Sequence, residues 1–503
     1  MLPDFAKTPW PPTSWQPHQT DILTADAWYS GDPARLRARS SSPPNQRKFR
    51  FWGRGATTDK VQTDQGLHVP AAADIAALGA DLLFGETPAF EIAAAHNETP
   101  DPVAIACEGR LTELAYIDGW SSLLLEAAEV GGALGGVYLR PVIDPHIADH
   151  PLLTVVHPDC AVPEFHYGHM VAVTFWQQWD ADEPGKVWRH LERHSPGIVE
   201  HGLYLGTATE LGPRRSLMDF DRTAPFARTA DGSVGDGIVD FTQWGVTSVP
   251  SRYIPNSLPN PKRRKDPVGR PDTAGVEPLM DALDETWASW VRDIRLAKAR
   301  LIVPDEFLDH RGRGVGDTFD VDREIFAPLS MDPASTDKAG ITPVQFAIRV
   351  TEHEATARAL FTEITQRAGY SPQSFGQLGG GSEQTATEVD AREGRSARTT
   401  SKKRGYWQRP MEDIAEMVLQ LDAALFGSGI TPMRPKLEWP SDERDPLAEA
   451  QTLSALALAR AVSTETMVRM LHPDWAPELV AAEVNAIETG GAVQVDDPMG
   501  GMA

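Results

Sequence analysis

The sequence predicts a mixed α+β fold that is mainly helical. Two observations carry this. Between residues 136 and 205, five short runs rich in β-branched and aromatic residues are separated by turn residues, the pattern of strands. From residue 277 onward, long stretches repeat apolar residues at alternating three- and four-residue spacing, the period of an amphipathic helix. With 503 residues, 41% of them hydrophobic, the chain is long enough to bury several cores and to divide into more than one region.

Residues 1–60 read as an arm, because Trp10, Pro11, Pro12 and Trp15 are followed by the loop signal SSSPP at 40–44. Pro70 opens a helix over 71–84, with Ile75, Leu78, Leu82 and Leu83 at helical spacing. A second helix is expected over about 110–130. The strand runs are 136–140, 152–156, 171–176, 187–191 and 201–205. A Pro-rich connector over 250–278 contains the basic run Lys262 to Lys265.

The next helix runs over 277–302, with Leu279, Leu283, Trp287, Val291 and Ile294 on one stripe and Pro304 as its stop. Residues 305–340 are polar and glycine-bearing. Val344, Phe346, Ile348 and Val350 alternate like a strand, and a helix over 351–368 stops at Gly369. An uncharged Gly-rich loop, Gly376 to Ser382, leads into a helix over 385–426 with Met411, Ile414, Val418, Leu421 and Leu425 along one side. Gly405 and Pro410 are expected to kink it. A strand over 437–439, three short helices (446–462, 463–471 and 477–487) and a disordered tail over 490–503 complete the expectation.

Composition bounds the chemistry. The formal net charge is −24, which argues against gripping nucleic acid through phosphate neutralisation. Cys107 and Cys160 make no disulfide framework. The first residues lack the apolar core of a signal peptide, and no apolar run reaches the roughly 18–20 residues of a membrane helix.

The densest ligand-capable cluster is His146, His150, His157, His166 and His169 with Asp144, Asp149 and Asp159, but its spacing matches no metal motif. His353-Glu354 lacks the second histidine of a zinc protease helix. The GRGVG run at 312–316 has neither the strand before it nor the helix after it that phosphate cradling requires. There is no P-loop and no serine nucleophile elbow, so no catalytic residue, metal or cofactor is assigned. Lys262 to Lys265 reads first as a solvated loop. The cations between Arg392 and Arg404 read as paired with Glu388, Asp390 and Glu393 along the helix.

The run from Thr385 to Val389 (TATEV), with Arg395 to Thr399 (RSART), Lys402 to Arg404 and Tyr406-Trp407, resembles the portal proteins of tailed bacteriophages, the head-to-tail connectors. His68 to Asp74 with Asp81 to Phe84 resembles that family's first wing helix. Ala133 to Leu139 and the His157–Asp159 turn resemble its wing strands. Asp281 to Asp284, ending at Ala297 to Leu301, resembles the first stem helix. Gln345, Phe346, Arg349, Glu352 and His353 resemble the return into the second.

The resemblance implies a portal-type ring subunit, built as an arm (1–60), wing (61–276), first stem helix (277–303), clip (304–349), second stem helix (350–369), tunnel loop (370–384), spine helix (385–427), return to the wing (428–442), helical crown (443–489) and tail (490–503). It implies a ring, of twelve subunits in this family, at one capsid vertex of the virion, assembled in the host cytoplasm. Double-stranded DNA would pass through its channel during packaging and ejection. The terminase large subunit, a head-tail adaptor and the major capsid and scaffolding proteins would be its partners, with no membrane and no enzymatic activity. The DNA-facing residues implied are Gln373, Gln377, Gly379, Gly380, Gly381, Ser382 and Glu383. Asp309, Arg311, Arg313 and Asp317 are the docking residues of the clip. The alternatives are a hydrolase using the histidine-rich loops and a monomeric capsid-associated scaffold.

Overall fold

The computed structural model describes residues 2, 8–39, 67–96, 99–227, 235–296, 300–302, 309–310, 317–318, 342–344, 348–376, 386–440, 454, 462–471 and 477–490. Helix and sheet are mixed, as an α+β fold requires. The chain divides into two compact units, Met1–Glu438 and Trp439–Ala503.

In the first unit, the expected arm contains two helices, α1 (Gln16–Ser30) and α2 (Pro33–Arg39). Sequence reading missed them because Ile22, Ala27 and Trp28, the residues that α1 buries, make no clean stripe. Trp10 and Leu2 are buried with Leu191, Tyr204 and Leu211, so this part of the chain belongs to the core. Helix α3 (Ala71–Phe84) follows as expected, then a short strand β1 (Ala89–Glu91).

The single helix expected over 110–130 is two, α4 (Pro102–Ile117) and α5 (Trp120–Leu134). Asp101 caps α4, its side chain accepting from the Val103 amide at 2.9 Å, and Pro102 fits the first turn. The break is Gly119, at φ +64°, a conformation that cannot continue a right-handed helix. Asp118 fixes it by accepting from Trp120 Nε1 and the Leu153 amide.

The β block is real. Strands β2 (Gly136–Val142), β3 (Leu152–Val156), β4 (Ala161–His166), β5 (His169–Asp180), β6 (Val187–Ser195), β7 (Ile198–Gly206), β8 (Arg214–Arg215), β9 (Ile238–Asp240) and β10 (Arg252–Pro255) form two antiparallel sheets. One has the order β10-β2-β3; the other runs β4-β5-β6-β7-β8, with β9 also on β7. β4 was not expected, and β10 lies within the stretch read as a loose connector. Tyr253 of β10 pairs with Tyr138 of β2, and its ring packs 4.8 Å from the Tyr138 ring.

Helix α6 (Glu277–Leu296) ends before Pro304, and the chain re-enters a strand, β11 (Arg300–Ile302), paired with β14 (Thr342–Val344). Between them β12 (Asp309–His310) pairs with β13 (Asp317–Thr318). The strand expected through Val350 is cut short, because Val350 is the first residue of α7 (Val350–Ala368). Helix α8 (Ala386–Leu425) runs on through Pro410, and β15 (Lys436–Glu438) pairs with β1.

One apolar core gathers Ile75 of α3, Met280 and Leu283 of α6, Ala357 and Ile364 of α7, and Tyr370. Full burial of each large side chain stabilises by about 1.5–3 kcal/mol. In the second unit two helices are described, Thr464–Leu471 and Pro477–Gly490; the helix expected at 446–462 and the tail lie outside the described residues, apart from single positions.

Candidate functional site

Helices α6 and α7 pack side by side through Leu283, Ala357, Phe361 and Ile364. Polar contacts set their register. Asp293 of α6 accepts from Arg349 Nε (3.1 Å) and Nη2 (3.0 Å) and meets His353 Nε2 at 3.0 Å. Bonds to His353 and Arg349 hold the Asp293 carboxyl below the usual carboxylate range. Trp290 stacks on His353 at 6.0 Å and on Trp287 at 5.1 Å. Trp287, Trp290, Phe361, Phe375, Leu283 and Val69 line an open groove of about 1240 Å³. Trp287, Ile294, Ile348 and Val350 remain exposed.

The pair brackets residues 297–349. Their strand pairings, β11 with β14 and β12 with β13, fold this segment back on itself. Asp309 lies opposite Thr318 and Asp317 opposite His310. Arg311 and Arg313 lie outside the described residues.

After α7, Gly369 at φ +102° turns the chain into a 3₁₀ turn, Pro372–Phe375. This turn is clamped to α8. The Ser371 amide donates to Ser396 Oγ at 2.9 Å, Ser374 Oγ lies 3.0 Å from the same oxygen, and Thr399 Oγ1 donates to the Gly369 carbonyl at 2.6 Å. Beneath the clamp is a buried polar knot. Lys403 Nζ donates to Asp272 Oδ2 at 2.6 Å and to Tyr370 Oη at 2.9 Å, and Tyr370 Oη donates to the same carboxylate at 3.0 Å. Asn256 Nδ2 holds the other carboxylate oxygen at 2.8 Å. Burial and Asp272 together push the Tyr370 hydroxyl well above its ordinary pKa.

Of the proposed DNA-facing residues, Gln373 lies in the 3₁₀ turn, where its Oε1 accepts from Ser371 Oγ at 2.6 Å. Gln377, Gly379, Gly380, Gly381, Ser382 and Glu383 lie outside the described residues.

On α8 beside the clamp, Arg395, Arg398 and Lys402 line a second recess. Arg398 donates to the Gly394 carbonyl, and Lys402 to Leu258 O and Ser257 Oγ. The side chains of Glu388, Asp390 and Glu393 lie outside the description. In the basic run, Lys262 pairs with Glu277 at 3.1 Å and Arg263 with Asp21 at 3.0 Å, tying the loop to α6 and α1.

The histidines singled out by sequence do not converge: His150 meets Asp149, His157 is 3.9 Å from Glu126, and His166 and His169 close the β4–β5 hairpin. Among the described residues no three His, Cys, Asp or Glu side chains are placed to hold a metal ion. A different polar cluster was missed. His190, Glu192 and His194 alternate along β6 and meet His201 of β7 and Arg140 of β2, a strand of the other sheet. The signal was the two-residue spacing, which starts in the run read as a strand over 187–191 and continues past its expected end.

No helix among the described residues is long and apolar enough to cross a membrane. No family model matches the chain, and no curated protein matches it. Among solved structures, the chain is similar to one described as "Neck of native GTA particle computed with C12 symmetry", with 12% identity over 93% of this chain and 96% of that one, at a TM-score of 0.41. Another, "Neck of empty GTA particle computed with C6 symmetry", shares 14% identity over 93% and 95%, at 0.40. A third, "Virion of native gene transfer agent (GTA) particle", shares 13% over the same extents, at 0.40.

Proposed function

We propose that this chain is a portal subunit, a non-enzymatic head-to-tail connector that closes into a ring at one vertex of a phage-like capsid and conducts double-stranded DNA. The observation that carries the reading is the arrangement around α7. One end of this helix adjoins the segment bracketed with α6; its other end leads directly into a Gly-rich loop whose root is clamped to the 40-residue helix α8.

In this reading α6 and α7 are the stem and residues 304–349 the clip. Asp309, Arg311, Arg313 and Asp317 of the clip meet the terminase large subunit during packaging and a head-tail adaptor later. Residues 370–384 are the tunnel loop, with Gln373, Gln377, Gly379, Gly380, Gly381, Ser382 and Glu383 facing the duplex. α8 is the spine, the sheets form the wing, and residues 443–489 form the crown. Major capsid and scaffolding proteins receive the ring at the vertex.

Two physical features support it. A charge of −24 per copy, repeated around a ring, repels phosphate and lets a duplex slide rather than stick. The apolar side chains left exposed on α6 and before α7 give a second copy something to cover.

Light scattering and negative-stain imaging of the purified chain test the proposal. A closed ring with an axial hole, near twelve times the chain mass of 54.9 kDa, is the expected result. A monomer at micromolar concentration in moderate salt, with or without capsid protein, sinks it.

A further inference from the structure

The six-stranded sheet carries ionisable groups where a sheet core is ordinarily apolar. The two-residue period of β6 puts His190, Glu192 and His194 on one face, and the register sets His201 of β7 directly opposite Glu192. Arg140 of β2 pairs with Glu192. His194 Nε2 lies 2.6 Å from Glu192 Oε1, and its Nδ1 lies 3.1 Å from the Pro250 carbonyl. Both of those neighbours are acceptors.

His190 and His201 are placed differently. His190 Nε2 lies 3.2 Å from His201 Nδ1, and the two rings stack at 5.3 Å. One nitrogen must donate and the other accept, so this bond exists only while at least one ring is neutral. Phe226 lies flat over both, 5.0 Å from His190 and 4.5 Å from His201. Both histidines are buried, at 4% and 5% exposure.

Phe226 belongs to a flap, Leu217–Ala227, made of two 3₁₀ turns. The flap rests on the sheet through Leu217 and Ala227 against Leu203, and Phe220 against Trp188. Thr223 Oγ1 braces it by donating to the Leu217 carbonyl at 2.6 Å. The flap itself carries Asp219, Asp221 and Arg222, the last with its guanidinium 5.5 Å over the Trp179 ring. Arg215 of β8 lies opposite Leu203, and Glu200 and Arg214 pair with each other at 3.4 Å, Arg214 also donating to the His201 carbonyl.

We propose that the His190–His201 pair under Phe226 is an acid-sensitive latch, holding the Leu217–Ala227 flap on the sheet at neutral pH and releasing it reversibly when the rings take up protons. Protonating both rings removes their shared hydrogen bond and sets two cations edge to edge beneath an aromatic ring, with Glu192 already engaged by Arg140 and His194. The direction agrees with burial, which lowers both imidazoles and brings His201 down to about 4. A base whose folded pKa lies below its unfolded value costs stability in acid. The loss begins as pH falls below about 6.5 and grows until the folded pKa is reached. Each proton taken up on opening raises the opening constant by up to about tenfold per pH unit within that window. The latch does not depend on the portal reading.

Hydrogen–deuterium exchange of the full-length chain at pH 7.5 and pH 5.0, normalised for intrinsic exchange, tests it. Peptides covering 217–227 are expected to lose at least tenfold in protection at pH 5.0, while peptides covering β3 do not, and to regain it on return to pH 7.5. The double variant His190→Gln/His201→Gln, which hydrogen-bonds without titrating, is expected to show no such pH step. Unchanged protection of the flap in the wild-type chain, an equal loss in β3, or a wild-type pH step in the double variant overturns the latch. Should the variant fail to fold, the two wild-type comparisons decide.

Discussion

Lys403 donates to Asp272 at 2.6 Å with both side chains at least nine-tenths buried, and this one bond joins the middle of α8 to the segment leading into α6. A buried ion pair contributes modestly as a pair, yet either partner left alone is an uncompensated charge in a dry site. Lys403→Met and Asp272→Asn should each cost about 3–5 kcal/mol in urea unfolding. The double variant should cost clearly less than their sum. Additive costs would show that the two side chains do not act as a pair.

Gly369 is the joint between α7 and the clamped turn. Its φ of +102° disfavours any side chain, and a Cβ there would sit 2.9 Å from Thr399 Oγ1, the atom that donates to the Gly369 carbonyl. Gly369→Ala should destabilise by about 1–3 kcal/mol, measured by thermal or urea unfolding. A loss within a few tenths of a kcal/mol of zero would mean that the turn relaxes freely.

Arg110 on α4 grips Asp422 of α8 through Nε and Nη2, both at 2.9 Å, and the Asp422 side chain is fully buried. Arg110→Leu should cost about 3–5 kcal/mol by stranding that carboxylate. Arg110→Lys should recover only part of it, because an ammonium cannot bind both oxygens with the fork geometry of a guanidinium. Full recovery by lysine would reduce the contact to simple charge pairing.

Glu192 is buried, which alone would raise its carboxyl. Arg140 and His194 nevertheless hold it well below the ordinary range. A carboxyl with a depressed folded pKa contributes stability that is present above its unfolded pKa of about 4.3 and lost as pH falls through the folded value. Glu192→Gln should therefore destabilise the chain most at neutral pH. The gap to the wild type should narrow as the wild-type carboxyl becomes protonated, measured by urea unfolding from pH 7 to pH 3. A gap constant with pH would place the effect in packing instead.

Stiffening the proposed tunnel loop by replacing Gly379, Gly380 and Gly381 with Val should leave assembly intact, because the flanking helices carry the apolar contacts. Packaging or DNA retention should fail. Gln377→Lys with Ser382→Lys should slow translocation by adding phosphate contacts, with relief at higher salt. Wild-type packaging by both variants would remove the loop from the DNA path.

The helices that pack through one apolar stripe were legible in the sequence: α3, α6, α7 and α8 lie within a few residues of their expected bounds, α6 stopping short of its expected end. Elements whose stability comes from distant partners were not. α1 makes no strong stripe, and β10 owes its place to β2 rather than to its own residues. The loop clamp was also hidden. Ser371, Ser396 and Thr399 are ordinary helix and loop residues until the turn at Gly369 folds them together. The sheet histidines were visible as letters, but their burial depends on which face of β6 meets Phe226, which the alternation alone cannot decide.

The pairing of β1 with β15 has a consequence for how this chain is made. Phe90 finds its sheet partner in Leu437, so the edge beside α4 stays open until nearly the whole first unit has left the ribosome. Contacts that distant are entropically late, and exposed strand edges are sticky while they wait. The closing strand therefore acts as a completion check: a nascent chain truncated within α8 would carry most of the helices and both larger sheets, yet would remain open at β1 and prone to aggregate.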